Sequence, residues 1–209
     1  AKESSAIYTL ILSDHEDYLL FTRNNQLHFI DLTTGVLHSI PELNEAKATS
    51  YQWANNDKSI IYSSIKDNIS QIWQFDILTK SNKQLTFAGG QKLLKDDQGK
   101  LFYINDNQLL SLNYEQDISP DETFKKTMTI PIAQCWCSVG LKEGYLYSLS
   151  DPLSLSRMEL ISSKTETVTL PESAIGLSLS PDSNAIYTSL SQEKNTKIQR
   201  MVLPEFLLP

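Results

Sequence analysis

Ser59-Ile60-Ile61-Tyr62 is a short apolar run that ends in an aromatic residue, and runs of the same kind recur along the chain. The other runs occupy residues 18–21, 100–103, 144–147 and 184–187. Their final aromatic residues, counted together with Tyr62, follow one another at intervals of 40 to 44 residues. A period of roughly 40–45 residues is typical of the four-stranded blade of a β-propeller.

The sequence around each aromatic run completes a four-stranded unit. A polar turn such as Asn55-Asn56-Asp57-Lys58 precedes each run, and Asn and Asp favour tight turns. An alternating apolar stretch lies before the turn, as at 8–12 and 175–179, which predicts an innermost strand. A third strand follows, as at 71–76, and then a fourth, as at 33–38 or 79–86.

We therefore predict an all-β protein, a β-propeller or partial propeller of about five four-stranded blades in a single domain over 1–209. The predicted blades are 6–45, 46–90, 91–132, 133–172 and 173–209. The fifth repeat stops after its third strand, and the tail at 203–209 has a Pro near each end. We expect either further blades before Ala1, in a larger propeller, or coverage of the open edges by another copy of the chain.

Composition limits the functions open to the chain. The formal net charge is −7, with 25 acidic against 18 basic residues and no local Lys/Arg cluster, so we predict no direct binding to nucleic acid. No apolar run approaches the roughly 18 residues that span a bilayer. The polar start lacks signal-peptide order, and we interpret the chain as a mature or excised fragment whose membrane attachment would come only from a segment upstream.

Titratable residues form no recognisable site. His15, His28 and His38 lack further ligands at metal-binding spacing. Acidic clusters at 14–17 and 96–97 lie in predicted hairpin turns, where Asp bonds the local backbone, and weak calcium binding is the alternative. We predict no catalytic, cofactor-binding or metal-binding residue, and no cofactor.

Two glycine-containing stretches have ordinary structural interpretations. Gly176-Leu177-Ser178-Leu179-Ser180 lacks the second Gly of a serine-hydrolase elbow and lies on a repeat strand. Ala88-Gly89-Gly90 is too short for a phosphate loop and is better interpreted as an inter-blade turn. The sequence therefore predicts that the chain is not an enzyme.

Cysteine and tryptophan residues also fit a structural role. Cys135 and Cys137 have unfavourable spacing for a disulfide, so we interpret them as apolar thiols, with a strained redox pair as the alternative. Trp53 and Trp136 fall on predicted innermost strands and Trp73 on a third strand. Packing between blades accounts for all three, and an aromatic recognition surface is the alternative.

Parts of the chain resemble the WD40-like (PD40) repeats of TolB-like bacterial propellers. Ser180-Pro181-Asp182-Ser183 resembles the Ser-Pro-Asp-Gly turn of those repeats, although Ser183 stands in place of the Gly. Residues 71–79 and 84–90 are similar to the third and fourth strands of the same repeat. The segment 198–204 is similar to the carboxy-terminal ends of CadC-like, membrane-anchored transcription regulators.

The CadC-like resemblance implies a non-catalytic sensory and interaction module, the periplasmic sensor joined to a winged-helix domain by one transmembrane helix. It implies a protein partner, self-association as a homodimer, or an unknown small-molecule signal. A cytoplasmic location remains an alternative. So do a TolB-like periplasmic scaffold and the gating propeller of a prolyl-oligopeptidase-like serine peptidase.

Overall fold

The structure is a computed structural model that describes residues 7–24, 26–45, 48–54, 56–106, 108–114, 124–129, 139–170, 173–174, 176–179, 185–192 and 195–202. Within these residues, five β-sheets follow one another along the sequence. In the first, second, fourth and fifth sheets, consecutive strands pair antiparallel.

The first two sheets each have four strands in chain order. The first sheet consists of β1 (Ile7–Leu12), β2 (Tyr18–Arg23), β3 (Gln26–Asp31) and β4 (Leu37–Ser39). A short helix, α1 (Pro41–Glu45), follows it. The second sheet consists of β5 (Ser50–Ala54), β6 (Ser59–Lys66), β7 (Ile69–Asp76) and β8 (Asn82–Gln84).

The remaining sheets repeat this order. The third sheet consists of β9 (Lys92–Lys95), β10 (Leu101–Asn105), β11 (Gln108–Leu112) and β12 (Phe124–Thr129). The fourth consists of β13 (Val139–Lys142), β14 (Tyr145–Asp151), β15 (Ser154–Glu159) and β16 (Thr165–Thr169). The fifth has three described strands, β17 (Gly176–Leu179), β18 (Ala185–Gln192) and β19 (Asn195–Val202).

The described residues divide between two compact units. The first unit draws them from Ala1–Leu93, Tyr103–Asp106 and Ser111–Lys125. The second draws them from Leu94–Phe102, Asn107–Leu110 and Lys126–Pro209.

The core of the first unit lies where the first two sheets face each other. Leu20 and Phe29 of the first sheet pack with Tyr51, Trp53 and further apolar residues of the second. These side chains alternate with more exposed ones along their strands, which is the pattern that buries one face of a sheet. The core of the second unit is built in the same way around Tyr147, Leu149 and Leu155 of the fourth sheet.

Tight hairpins set the register of neighbouring strands. Asp67 and Asn68 join β6 to β7, and both have positive φ, at 51° and 65°. Two-residue turns with positive φ at both positions match the twist of an antiparallel pair, and Asn and Asp tolerate that conformation. The hairpin between β13 and β14 is of the same kind, with Glu143 and Gly144 at φ 49° and 78°.

The predicted all-β, partial-propeller fold is confirmed by this sheet order. The fourth strands are shorter than predicted: β4 covers Leu37–Ser39 rather than 33–38, and β8 covers Asn82–Gln84 rather than 79–86. Asp31 Oδ1 accepts the backbone N–H groups of two threonines that follow it, and Asp76 Oδ1 accepts that of Thr79, so both segments begin as turns. The single-domain assignment and the blade limits stay predictions.

Gly90 allows a close approach between backbone and core, because its φ is 148° and an added Cβ would lie 2.6 Å from Ile72 Cγ1. We expect Gly90→Ala to lower the free energy of unfolding by roughly 2–4 kcal/mol, combining backbone strain and overpacking. Gly35→Ala is the matched control, because Gly35 also has positive φ but no atom within 4 Å of an added Cβ. Chemical denaturation compares the two variants, and an equal loss in both would contradict the close packing at Gly90.

Candidate functional site

A polar pocket on the fourth sheet is built around Arg157 of β15. Strand register places Arg157 opposite Tyr147 of β14 on one side and Glu166 of β16 on the other. The Arg157 side chain is only 9% exposed, and its Nη2 donates to Glu166 Oε2 at 2.7 Å. The guanidinium also lies over the Tyr145 ring, 4.4 Å from its centroid. An arginine is well suited to this place, because its planar group bonds a carboxylate and stacks on a ring at once.

The pocket has a volume of about 60 Å³ and is lined by Tyr145, Arg157, Glu159, Lys164 and Glu166. Lys164 Nζ donates to Glu166 Oε1 at 2.9 Å. The hydrogen bond from Lys164, and then that from Arg157, lowers the pKa of the Glu166 carboxyl below its usual range. Two cations, Arg157 and Lys164, and two carboxylates, Glu159 and Glu166, thus line a small open recess. This arrangement suits recognition of a polar group on a partner.

Sequence reasoning missed this pocket. In the repeat, residues 156–160 carry only the pattern of a third strand. One signal was available, because Arg157 lies two residues from the apolar Leu155 and therefore shares its face of the strand, which marks a charged residue on an inward-facing position. The partner Glu166 depends on the β15–β16 register, which a single sequence does not reveal.

A second polar site joins two turns that lie one repeat apart. Asp57, in the β5–β6 turn, accepts the backbone N–H groups of Asp14 and His15 from the β1–β2 turn, at 2.9 and 3.1 Å. Its Oδ2 also lies 3.0 Å from His15 Nδ1, and its side chain is 4% exposed. Burial raises the pKa of Asp57, but the hydrogen bonds from the Asp14 and His15 amides and from the His15 and Ser13 side chains together leave that pKa below its ordinary value. Asp57 therefore acts as a buried anionic link between the first and second sheets.

The three histidines do not converge on one site. His15 is 57% exposed and contacts Asp57. His28 stacks on Phe21, and its buried Nδ1 has no hydrogen-bond partner. His38 stacks on Phe29, with ring centroids 4.6 Å apart, on the other face of the first sheet.

The acidic cluster at 96–97 bonds backbone amides from its turn, while the local bonding predicted for the cluster at 14–17 stays a prediction. Asp96 Oδ1 accepts the N–H groups of Gln98 and Lys100, and Asp97 Oδ1 accepts that of Glu143. Among the described residues, no group of three or more His, Cys, Asp or Glu side chains could hold a metal ion.

The tryptophans within the described part of the chain pack as structural residues. Trp53 is fully buried, and its Nε1 donates to Ile11 O at 3.1 Å, from the second sheet to the first. Trp73 lies under Lys66, whose Nζ is 5.3 Å from the Trp73 ring centroid. Trp136, Cys135 and Cys137 lie outside the described residues, so their predicted roles stay predictions.

The two glycine-containing stretches take their predicted positions. Gly176–Leu179 forms β17, a strand of the repeat, while Ser180 lies outside the described residues. Ala88-Gly89-Gly90 lies between β8 and β9, the last strand of the second sheet and the first of the third. In the part of the chain that the structure describes, no helix is long and apolar enough to cross a membrane.

Comparison with solved structures places the fold among β-propellers. TolB from Acinetobacter baumannii superposes with a TM-score of 0.71 at 13% identity, over 95% of this chain and 52% of that chain. The β-propeller domain of Myceliophteria thermophila Cps50 (Swd1) gives 0.67 at 11% identity, over 98% and 73%. A prolyl endopeptidase gives 0.53 at 14% identity, over 97% and 35%.

These likenesses establish the fold alone, because all three sequence identities are low. The chain spans about half the length of the TolB structure. No protein-family model matches the sequence, and no curated protein matches it.

Asp57 makes stability depend on pH. The pKa of Asp57 is lowered in the folded protein. Its contribution to the free energy of unfolding is therefore fully present above the pKa of an unfolded Asp, about 3.9, and is lost as the pH falls through the folded pKa. We expect Asp57→Asn to cost about 1–2 kcal/mol at pH 7, because its amide group points a donor at a backbone N–H. That difference from the wild type should shrink below about pH 4.

Urea denaturation between pH 3 and pH 7 measures this dependence. Asp17→Asn is the control, since Asp17 lies exposed in the same β1–β2 turn. If the free energies of unfolding of the wild type and Asp57→Asn differ by the same amount at every pH in this range, the ionised carboxylate is not the stabilising species.

Proposed function

We propose that the chain is a non-catalytic sensory and interaction module, the periplasmic signal-sensing part of a CadC-like, membrane-anchored transcription regulator. The observation that carries the proposal is the propeller architecture shared with TolB over 95% of the chain. The sequence similarity of residues 198–204 to the ends of CadC-like regulators supports the finer assignment.

The described surface suits recognition. The Arg157 pocket presents paired charges in a recess of the fourth sheet. Large apolar side chains, including Leu78 and Ile161, stand exposed in turns. Sheets packed face to face hold such groups on a rigid frame, so a partner binds without ordering a flexible chain. A protein or a small polar molecule would be the signal.

A second candidate is the gating propeller of a prolyl-oligopeptidase-like serine peptidase. The likeness to a prolyl endopeptidase, at a TM-score of 0.53, favours it. The catalytic residues would then belong to a hydrolase domain elsewhere in the same polypeptide. A TolB-like periplasmic scaffold is the third candidate, supported by the same TolB superposition.

The full coding sequence and a topology reporter separate these candidates. We expect a winged-helix segment and one apolar helix before residue 1, and we expect alkaline phosphatase fused after the last residue to be active in a bacterial host. Deleting residues 1–209 from the full protein should abolish signal-dependent transcription and leave operator binding by the winged helix intact.

Two other outcomes would contradict the proposal. A Gly-x-Ser-x-Gly motif with later Asp and His downstream would identify the gating propeller. A cleavable signal peptide directly upstream, without a winged helix, would identify the scaffold.

A further inference from the structure

The fourth sheet ends on β16, an outer strand that is paired on one side only. In the part of the chain that the structure describes, the order of this sheet is β13, β14, β15 and β16, and no described strand lies beyond β16. Exposure alternates along Thr165–Thr169, with the threonines exposed and the residues between them half-buried. The pairing with β15 is regular over the whole strand. A regular, exposed outer strand is a template on which a further strand can pair.

Hydrogen bonds on either side of β16 fix the direction of its backbone groups. Glu159 N–H donates to Lys164 O at 2.9 Å just before the strand. Leu170 N–H donates to Leu153 O at 2.6 Å just after it. Because hydrogen-bonded and non-hydrogen-bonded pairs alternate along an antiparallel ladder, the even-numbered residues of this strand are the ones bonded to β15.

The odd-numbered residues of β16 therefore direct their backbone groups away from the sheet. Glu166 and Val168 bond β15, opposite Arg157 and Leu155. The outward N–H and C=O groups belong to Thr165, Thr167 and Thr169. These groups form a row at the spacing of an antiparallel strand, so an extended backbone is the chemical partner that they fit.

The other outer strands carry the features that discourage such pairing. Strands β4 and β8 have only three residues each. Strand β12 has Lys125 and Lys126 in its middle, and lysine on an outer strand opposes pairing. Strand β16 has five residues, no proline and no lysine. Its one charge, on Glu166, is already bonded by Arg157 and Lys164.

We propose that two copies of the chain associate through β16, with the two strands antiparallel about a two-fold axis at Thr167. Thr167 then lies opposite Thr167 of the second copy, and Thr165 lies opposite Thr169 of the second copy. Every outward-facing residue of one strand meets an outward-facing residue of the other, and each such pair can exchange backbone hydrogen bonds. The contact is isologous and joins two four-stranded sheets into one.

The side chains also fit this register. Threonine pairs across neighbouring strands are favourable, and like charges directly opposite are not. Glu166 lies opposite Val168 of the second copy, so the two Glu166 carboxylates do not oppose each other directly. Each carboxylate is balanced by Arg157 and Lys164 of its own copy, although the whole chain has a net charge of −7. The contact therefore avoids the repulsion between two acidic proteins.

A second copy is the occupant because the single sequence Thr-Glu-Thr-Val-Thr satisfies both strands in one register. A further sheet packed face to face would cover a face of the fourth sheet and would leave this edge open. The inference concerns association alone and does not depend on the sensory role proposed above.

Light scattering after size-exclusion chromatography, at protein concentrations up to about 1 mM, tests the association and detects weak dimers. We expect the wild-type molar mass to rise with concentration towards that of a dimer. Thr167→Pro should weaken association at least about tenfold, because it removes an outward N–H group and leaves the bonds to β15 in place. Thr167→Val is the matched control, since it keeps that N–H group and the β-branched side chain. Far-UV circular dichroism verifies that each variant is folded.

A charge exchange at the two-fold axis gives the sharpest test. Residue 167 meets its own counterpart, so Thr167→Lys alone and Thr167→Glu alone should each be monomeric, whereas an equimolar mixture should form a 1:1 complex. A wild-type chain that stays monomeric at every concentration would overturn the proposal. So would a mixture without a complex, or association that Thr167→Pro leaves intact.

Amide hydrogen exchange at low protein concentration shows whether the chain itself covers the edge. We expect the Thr165, Thr167 and Thr169 amides to exchange rapidly in the monomer and to gain protection as concentration rises. Protection of these amides that is already complete in the monomer would mean that another segment of the same chain pairs with β16, and it would overturn the proposal.

Discussion

A sheet with apolar side chains on both faces has to be covered on both sides, and this constraint organises the described structure. Trp53 shows it most directly. Its ring is fully buried between the first and second sheets, stacked on Tyr18 and edge-on to Phe29. Its one polar atom is satisfied by Ile11 O, so the side chain is buried without an unpaired donor. Leu177 and Leu179 meet the same requirement in the fifth sheet with smaller side chains.

The same constraint decides where function can reside. Within each unit, face-to-face packing covers the central apolar surface of the packed sheets and leaves turns and sheet margins for partners. Polar groups between packed sheets are then bonded to neighbours, as Asp57 is to the amides of Asp14 and His15. The Arg157 pocket differs, because its charges are paired yet open onto a recess. These features fit recognition at a rigid surface.

Local patterns predicted the repeat but not the contacts between repeats. The aromatic runs and polar turns located the strands, because turn preference and alternation act within a few residues. Asp31 and Asp76 shortened the fourth strands by capping turns, a detail that the apolar pattern conceals. The Arg157–Glu166 pair requires the register of two strands. Leu10 and Leu177 look alike in sequence, and only the packing shows that Leu10 is exposed.

Amide hydrogen exchange of Trp53→Ala, compared with the wild type, tests the central claim that each sheet is held by its neighbour. Removing a buried tryptophan typically costs about 3–5 kcal/mol. If the first sheet depends on Trp53 for coverage, the amides of β2 and β3 should lose protection together with those of β5 and β6. Loss confined to β5–β8, with the first sheet as protected as in the wild type, would contradict the account.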